Sequence, residues 1–306
     1  MYPTPHFEKL LAVLKNEKLP SSDKPRIEKA IEHYQEWIAR LDRTMAAEDT
    51  PDDILKRMVS LLNEYRMFID IDLIYDDQED FLYRQKGQLK LDNSVIEEFL
   101  PRLMHPILVP EIEQFDVKVG PTRSFASAYF ALVSGEFAED AALRMRTKDQ
   151  DFAISKRLYL KASFSPNFQP ASHQETNLAF MVAECKTNLD KTMFQEATAT
   201  AHDVKTAMTG ARYYLLCEWL DMTPLSTAPT DIDEVIILRK AKRIGSNFRK
   251  HLSTHRGRQD VRETYIHHLT RYPLQASMFK RFIDHVRGLL SREGVEEHDI
   301  LDQGYF

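Results

Sequence analysis

Apolar residues recur every three to four positions through the first hundred residues, the period of amphipathic helices. In 24–47 they are Ile27, Ile31, Tyr34, Ile38 and Leu41. Thr50-Pro51-Asp52-Asp53 reads as a helix start, with Thr50 as N-cap and Pro51 at the first helical position. Ile54, Met58, Leu61, Leu62, Tyr65 and Phe68 supply the apolar face of that helix. A third helix is expected near 92–104, capped at Asp92 or Asn93 and ended before Pro106.

The pattern changes from about 115. FDVKVGPTRSFASAYFALVSG reads as a short strand, a Gly-Pro turn and an Ala/Ser-rich apolar helix. In DFAISKRLYLKASF, 151–164, Ile154, Leu158, Leu160 and Ala162 alternate with polar residues, as in a strand with one wet face. SPNFQPASHQET, 165–176, is a Pro-, Ser- and Asn-rich loop, and NLAFMVAECK is the next strand. A helix over 190–207 separates it from the strands ARYYLLCEWLDM and DEVIILRKA. Everything after 245 reads as helix, including REGVEEHDILD.

The expected fold class is therefore α/β (α+β): a central mixed sheet flanked by helices, after a largely helical N-terminal region and before a helical C-terminus. The change of pattern divides 1–112, a helical part suited to DNA binding or dimerisation, from 113–306, the core with a basic C-terminal part. No Pro/Gly/Ser-rich linker marks the division, so the two parts can also form one compact domain.

The 306 residues, 43 % hydrophobic and 29 % charged, have an ordinary globular composition, which allows one large domain or two small ones. No apolar run approaches the roughly 20 residues of a membrane span, and MYPTPHFEKLLAVLKNEKLP lacks the apolar core of a signal peptide. Cys185 and Cys217 lie in strand-like segments without metal-ligand spacing, which points to buried thiols and a cytoplasmic location. The net charge of −6 argues against a nucleic-acid partner, but its distribution does not. Acids crowd 41–80, with DIDLIYDDQED at 70–80, and bases crowd 239–262. The acidic run lacks the glycine and ligand order of a calcium loop and reads as a solvated or partner-facing surface. The basic run reads either as a polyanion-facing surface or as a solvated helix face.

One stretch carries chemistry. In LAFMVAECKTNLDKTMFQEA a buried-looking strand ends in Glu184-Cys185-Lys186. Strand side chains alternate, so Glu184 and Lys186 share a face and Cys185 points to the other. Glu-x-Lys alone is weak, because ordinary composition supplies about one match by chance in such a chain. Of the two Asp-x-Lys rivals, Asp203-Val204-Lys205 falls within a helix, where i and i+2 diverge, and Asp116-Val117-Lys118 remains a minor candidate. If 151–164 and 178–186 pair antiparallel, Asp151 comes beside Glu184 and Lys186. Two carboxylates and a lysine suit metal-assisted phosphodiester hydrolysis. Asp151, Glu184 and the Cys185 carbonyl are then the hard oxygen donors for Mg2+, and Lys186 orients the nucleophile and stabilises developing charge. A cross-strand salt bridge at a sheet edge fits the same spacing. Thr187-Asn188-Leu189-Asp190 resembles a capping box, whose helix N-terminus favours phosphate nearby.

An Asp on one strand, Glu-x-Lys ending the next, then a helix and a strand resembles the PD-(D/E)XK nuclease superfamily, with Gln150-Asp151 in place of Pro-Asp. AECKTNLDKTMFQEATATAHDVKTAMTGARYYLLCEWLDM is more specifically similar to type II restriction endonucleases of the BbvCI-like group, which cut short asymmetric, CCTNAGC-like DNA sites. That resemblance is strongest over 150–240 and faint over the N-terminal helices. It implies Asp151 and Glu184 as metal carboxylates, Lys186 as catalytic lysine, and Gln195 and Glu196 as auxiliary candidates, which plain helix surface also explains. It further implies Mg-dependent hydrolysis of double-stranded DNA, one strand per active site and leaving a 5'-phosphate, in a bacterial restriction–modification system. Cutting both strands then needs a homodimer or a heterodimer with a related subunit.

For DNA contact, Arg123 sits in the expected Gly120–Phe125 turn and suits a base edge or a phosphate. Arg239, Lys240, Lys242, Arg243, Arg249 and Lys250 suit phosphates. His267-His268 has no third ligand nearby and reads as surface or core. The rival functions are a repair or structure-specific nuclease on the same core, and a non-catalytic helical adaptor.

Overall fold

The computed structural model describes residues 2–131, 142–291 and 301. Its helices begin with α1 (Pro5–Leu14), α2 (Lys24–Met45) and α3 (Pro51–Phe68), which runs on as a π-helical segment, Ile69–Tyr75. Short helices α4 (Phe81–Gln85) and α5 (Ser94–Phe99) follow, the latter extended by a 3-10 turn to Met104. The Thr50 hydroxyl caps α3 by accepting from the Asp53 N–H, with Pro51 where its missing N–H costs nothing.

Five strands form one sheet in chain order: β1 (Lys118–Phe130), β2 (Leu143–Ala162), β3 (Ser172–Leu189), β4 (Arg212–Leu220) and β5 (Glu234–Lys242). β1–β2 and β2–β3 pair antiparallel; β3–β4 and β4–β5 pair parallel. The β3–β4 crossover is α6 (Lys191–Ala207), as parallel neighbours require. Then come α7 (Ser246–Arg249), α8 (His255–Asp260), α9 (Arg262–Arg271) and α10 (Ala276–Leu290). The expected helix REGVEEHDILD lies, Leu301 apart, outside the described residues.

The strand alternation decides what each face buries. Met181, Ala183 and Cys185 of β3 join Phe152, Ile154, Tyr214 and Leu216 in a core shared with α1–α5 and α10. Val182 faces the other way, into a smaller core with Ala153, Tyr213 and the Phe194, Ala197, Ala201 and Val204 face of α6. No described helix is long and apolar enough to cross a membrane.

Two local expectations are corrected. FASAYF is strand, not helix, and Gly120-Pro121 is no turn but part of β1, which is bulged there. The buried positions of β1 are Gly120, Thr122, Ser124 and Ala126, a strict alternation of small residues that carries no hydrophobic signature. Sheet pairing overrides the helical propensity of the alanines. Gly120 holds φ +120, and a Cβ there would stand 2.6 Å from the Pro3 ring. The second correction concerns α6. Its cap is Asp190, which accepts from the Met193 N–H at 2.9 Å, while Thr187 and Asn188 still belong to β3.

Candidate active site

The site grows from the β2–β3 register. Phe152 pairs with Ala183, which sets Asp151 across from Glu184. Asp151 Oδ2 accepts the Cys185 N–H at 3.0 Å. Lys186 Nζ meets Glu184 Oε1 at 2.6 Å, and the Tyr213 hydroxyl of β4 donates to Glu184 Oε2. Burial works against the Lys186 ammonium, but Glu184, with Asp151 and Glu196 behind it, outweighs burial and raises its pKa. Burial and the Glu184 charge together push the Tyr213 phenol far up, so Tyr213 is a fixed donor.

The helical region supplies three more groups, which sequence reasoning missed. Lys90 Nζ lies 3.4 Å from Glu97 Oε1 and 3.5 Å from Asp151 Oδ1. Asn93 Nδ2 donates to the Cys185 carbonyl at 3.0 Å and to Glu97 Oε1 at 3.4 Å. Burial, and then the Asp151 charge, lifts the Glu97 pKa to about 7. The sequence did hold a signal. Glu97 and Glu98 sit in SVIEEFL, every residue of which is buried, and a buried carboxylate requires partners. Glu98 finds them in the His6 N–H and the Tyr34 hydroxyl, while the His6 ring bridges Ser94 and Tyr65. This network fastens α5 to α1, α2 and α3, and so aims Asn93 and Glu97 at the strand end.

The other expected residues fall in different places. Glu196 on α6 is exposed yet near enough to act on Lys186, and Gln195 beside it is exposed too. Asp116-Val117-Lys118 leads into β1, where Lys118 pairs with Ser155 rather than Asp151. Arg123 is an exposed strand residue paired with Asp149 at 3.1 Å. Arg239 is a correction: it is 4 % exposed and committed to Glu218 at 2.9 Å and the Tyr272 carbonyl, so it does not face phosphates. Its inward turn coincides with a bulge that leaves Lys240 at φ +50. Arg243 and Arg249 share Asp221 at 2.8 and 3.1 Å, whereas Lys240, Lys242 and Lys250 are exposed. His268 stacks on Trp219 within the fold.

The acidic and basic runs largely answer each other, which corrects their reading as outward-facing surfaces. Arg258, fully buried, donates to the Tyr75 and Asp77 carbonyls and pairs with Asp80 at 2.7 Å. Arg262 grips Asp76 through both oxygens. What remains basic and open is an end of the sheet. The parallel register brings the carboxyl ends of β3, β4 and β5 together. Lys240 and Lys242 there line an open groove of about 540 Å³ with His267, Arg271, Phe248 and Tyr272.

The donor chemistry fits a hard divalent cation. Asp151, Glu184 and the Cys185 carbonyl are all oxygen donors, and Mg2+ takes one or two carboxylates and keeps several waters. Among the described residues no cluster of three His, Cys, Asp or Glu side chains forms a ready-made cage. The Cys185 thiol offers nothing: it is in the core, and burial drives its pKa well up.

The family described as Bpu10I restriction endonuclease matches residues 88–306. No curated protein matches the chain. Among solved structures, one described as "native BbvCI A2B2 tetramer at low resolution" is similar, with a TM-score of 0.65 and 18 % identity. The match covers 96 % of this chain and 100 % of that one.

Proposed function

The chain belongs to the Bpu10I restriction endonuclease family, whose members are site-specific deoxyribonucleases, and from that premise we propose that Asp151, Glu184 and Lys186 form its Mg2+-dependent phosphodiesterase site. The observation that carries the reading is the convergence of Asp151 and Glu184 from adjacent antiparallel strands, with Lys186 at 2.6 Å from Glu184.

Mg2+, when bound, lowers the pKa of water and offsets charge on the scissile phosphate. The chain's residues do the rest. Asp151 and Glu184 would hold the cation, aided by the Cys185 carbonyl. The Cys185 N–H fixes one oxygen of Asp151, and Tyr213 fixes one of Glu184, so the pair is preorganised. Lys186, kept charged by Glu184, orients the attacking water and stabilises charge developing on the phosphate. Attack at phosphorus with departure of the 3'-oxygen leaves a 5'-phosphate. Lys240, Lys242 and Lys250 contact backbone phosphates, supplying affinity without sequence readout.

One such site cuts one strand. Double-strand cleavage therefore needs two chains, identical or related. The A2B2 composition of the similar BbvCI structure favours an assembly of two kinds of subunit. An asymmetric target suits it, because a symmetric homodimer matches palindromes.

The test is digestion of a sequenced plasmid by the purified chain with Mg2+, alone and with a related subunit. Fragments with fixed ends support the reading. Cuts that follow DNA junctions rather than sequence would point to a repair nuclease instead. Nicking alone, converted to double-strand cuts by the related subunit, would support the heteromeric arrangement.

A further inference from the structure

Each oxygen offered to the cation is already engaged by a donor of the chain. Asp151 Oδ2 has the Cys185 N–H at 3.0 Å, and Glu184 has Lys186 at 2.6 Å and Tyr213. The Cys185 carbonyl has Asn93 at 3.0 Å. Only the contact on Asp151 Oδ1 is long. It comes from Lys90, at 3.5 Å, with a second long contact to Glu97 at 3.4 Å. The Lys90 side chain is also the most exposed member of the group, at 44 %.

Its root is fixed while its tip is loose. Lys90 has φ +53, a region that non-glycine residues seldom enter. The Lys90 carbonyl accepts from both the N–H and the hydroxyl of Ser94, and the Leu91 N–H closes the turn onto Lys86. An unusual backbone conformation kept by surrounding bonds at such a place points to a use for the side chain. A lysine is a compact charge on a flexible stem, able to leave and return without moving backbone.

We infer that Lys90 is a surrogate cation: its ammonium holds Asp151 and Glu97 together and must swing away when a divalent cation takes Asp151 Oδ1. The inference rests on the reading of Asp151 and Glu184 as the metal carboxylates. Lys90 is on this account a positioning residue that sets metal affinity. It keeps two like charges from splaying the site, and it makes the cation compete for Asp151.

The experiment is titration of the full chain with Mn2+ alone, counting free ion by electron paramagnetic resonance, for wild type, Lys90→Met, Lys90→Arg and Asp151→Asn. Removing a partly exposed ionic contact that competes with the metal should tighten Mn2+ binding by about fivefold in Lys90→Met. Lys90→Arg keeps the charge and should stay within roughly twofold of wild type on the same scale. Lys90→Met should also melt at a lower temperature without metal and regain the loss as Mn2+ is added. Equal or weaker Mn2+ binding by Lys90→Met overturns the inference, as does a variant whose only defect is weaker DNA binding, which would make Lys90 a phosphate contact. Asp151→Asn separates the two levels. If it binds Mn2+ as wild type does, the site reading itself fails; if it loses binding while Lys90→Met is unchanged, only the role of Lys90 fails.

Discussion

Two ionic clusters join the N-terminal helices to the sheet, and they are built on different principles. In one, Arg66 of α3 and Asp70 of its π-helical continuation meet Glu218 of β4 and Arg239 of β5. Charges match two to two, and Arg66, Glu218 and Arg239 are each at most 4 % exposed. In the other, Lys90 and Glu97 meet Asp151, Glu184 and Lys186. Three carboxylates there face two lysines, and side-chain exposure reaches 44 %. Arginine's planar fork commits several donors at once, whereas lysine is a mobile point charge. Arg66 and Arg239 outweigh burial and hold the Glu218 carboxyl below its usual range, which leaves that cluster complete. The lysine cluster is short of positive charge, and so has room for a divalent cation. Charge balance and the type of cation separate a clamp from a site more sharply than the mere presence of buried acids.

The largest effect that would break this contrast lies in the closed cluster. Glu218→Ala removes the carboxylate shared by two buried guanidinium groups, leaving Asp70 alone to face both, and should cost about 3–5 kcal/mol of stability, read by urea denaturation. The same measurement on Lys186→Ala should show little change, because its partner Glu184 keeps the Tyr213 hydroxyl. A similar loss in both variants would remove the distinction.

A smaller effect sharpens the picture of how α5 is held. Burial, with Arg66 adding to it, pushes the His6 pKa down to about 3 from 6.5. Folded His6 thus stays neutral while the unfolded chain takes up a proton below about pH 6.5. The unfolded state then binds more protons, so stability is lost as pH falls from 6.5 toward 3. Between pH 8 and pH 5 wild type should lose about 2 kcal/mol through this group. His6→Gln should lack that component, even if less stable at every pH. Glu97, with its raised pKa, contributes in the opposite direction, losing stability as pH rises between 4.5 and about 7, so the difference between the two chains is what isolates His6.

The smallest effects belong to the open basic end of the sheet. Lys240→Gln and Lys242→Gln should each weaken DNA binding almost equally across sequences and lower the salt-dependence slope by roughly 1. Filter binding at several salt concentrations measures it. An Arg123→Gln variant that changed sequence preference, rather than affinity alone, would show that base reading resides in β1.

The two clusters were unequally legible in the sequence. Asp151 could be set beside Glu184 because two strand-like segments separated by a Pro/Ser/Asn loop pair as a hairpin, although β2 begins eight residues before Asp151, at Leu143, and β3 runs on to Leu189. Lys90 and Asn93 reach the same place from the turn before α5, and Glu97 from α5 itself, a short helix about which periodicity says nothing, since every residue of it is buried. Arg239 reads as a surface base along the chain because charge alone carries no sign of the β5 bulge beside it. The warning was Glu218, a lone carboxylate inside YYLLCEWL, which demanded a buried cation. Likewise the second part of β1, after Gly120-Pro121, reads as helix because the strand's buried face is made of glycine, threonine, serine and alanine, small enough for α6 to pack close but silent as an apolar pattern.

The most direct measurement is plasmid cleavage with Mg2+ by Asp151→Asn, at a temperature where urea denaturation shows the variant folded. This change keeps the size of the side chain and its place beside the Cys185 N–H, and removes the charge. Cleavage reduced by roughly 10²–10³ or more, with stability near that of wild type, is the predicted result. Cleavage at the wild-type rate would contradict the account and leave Asp151, Glu184 and Lys186 as a cross-strand salt-bridge group.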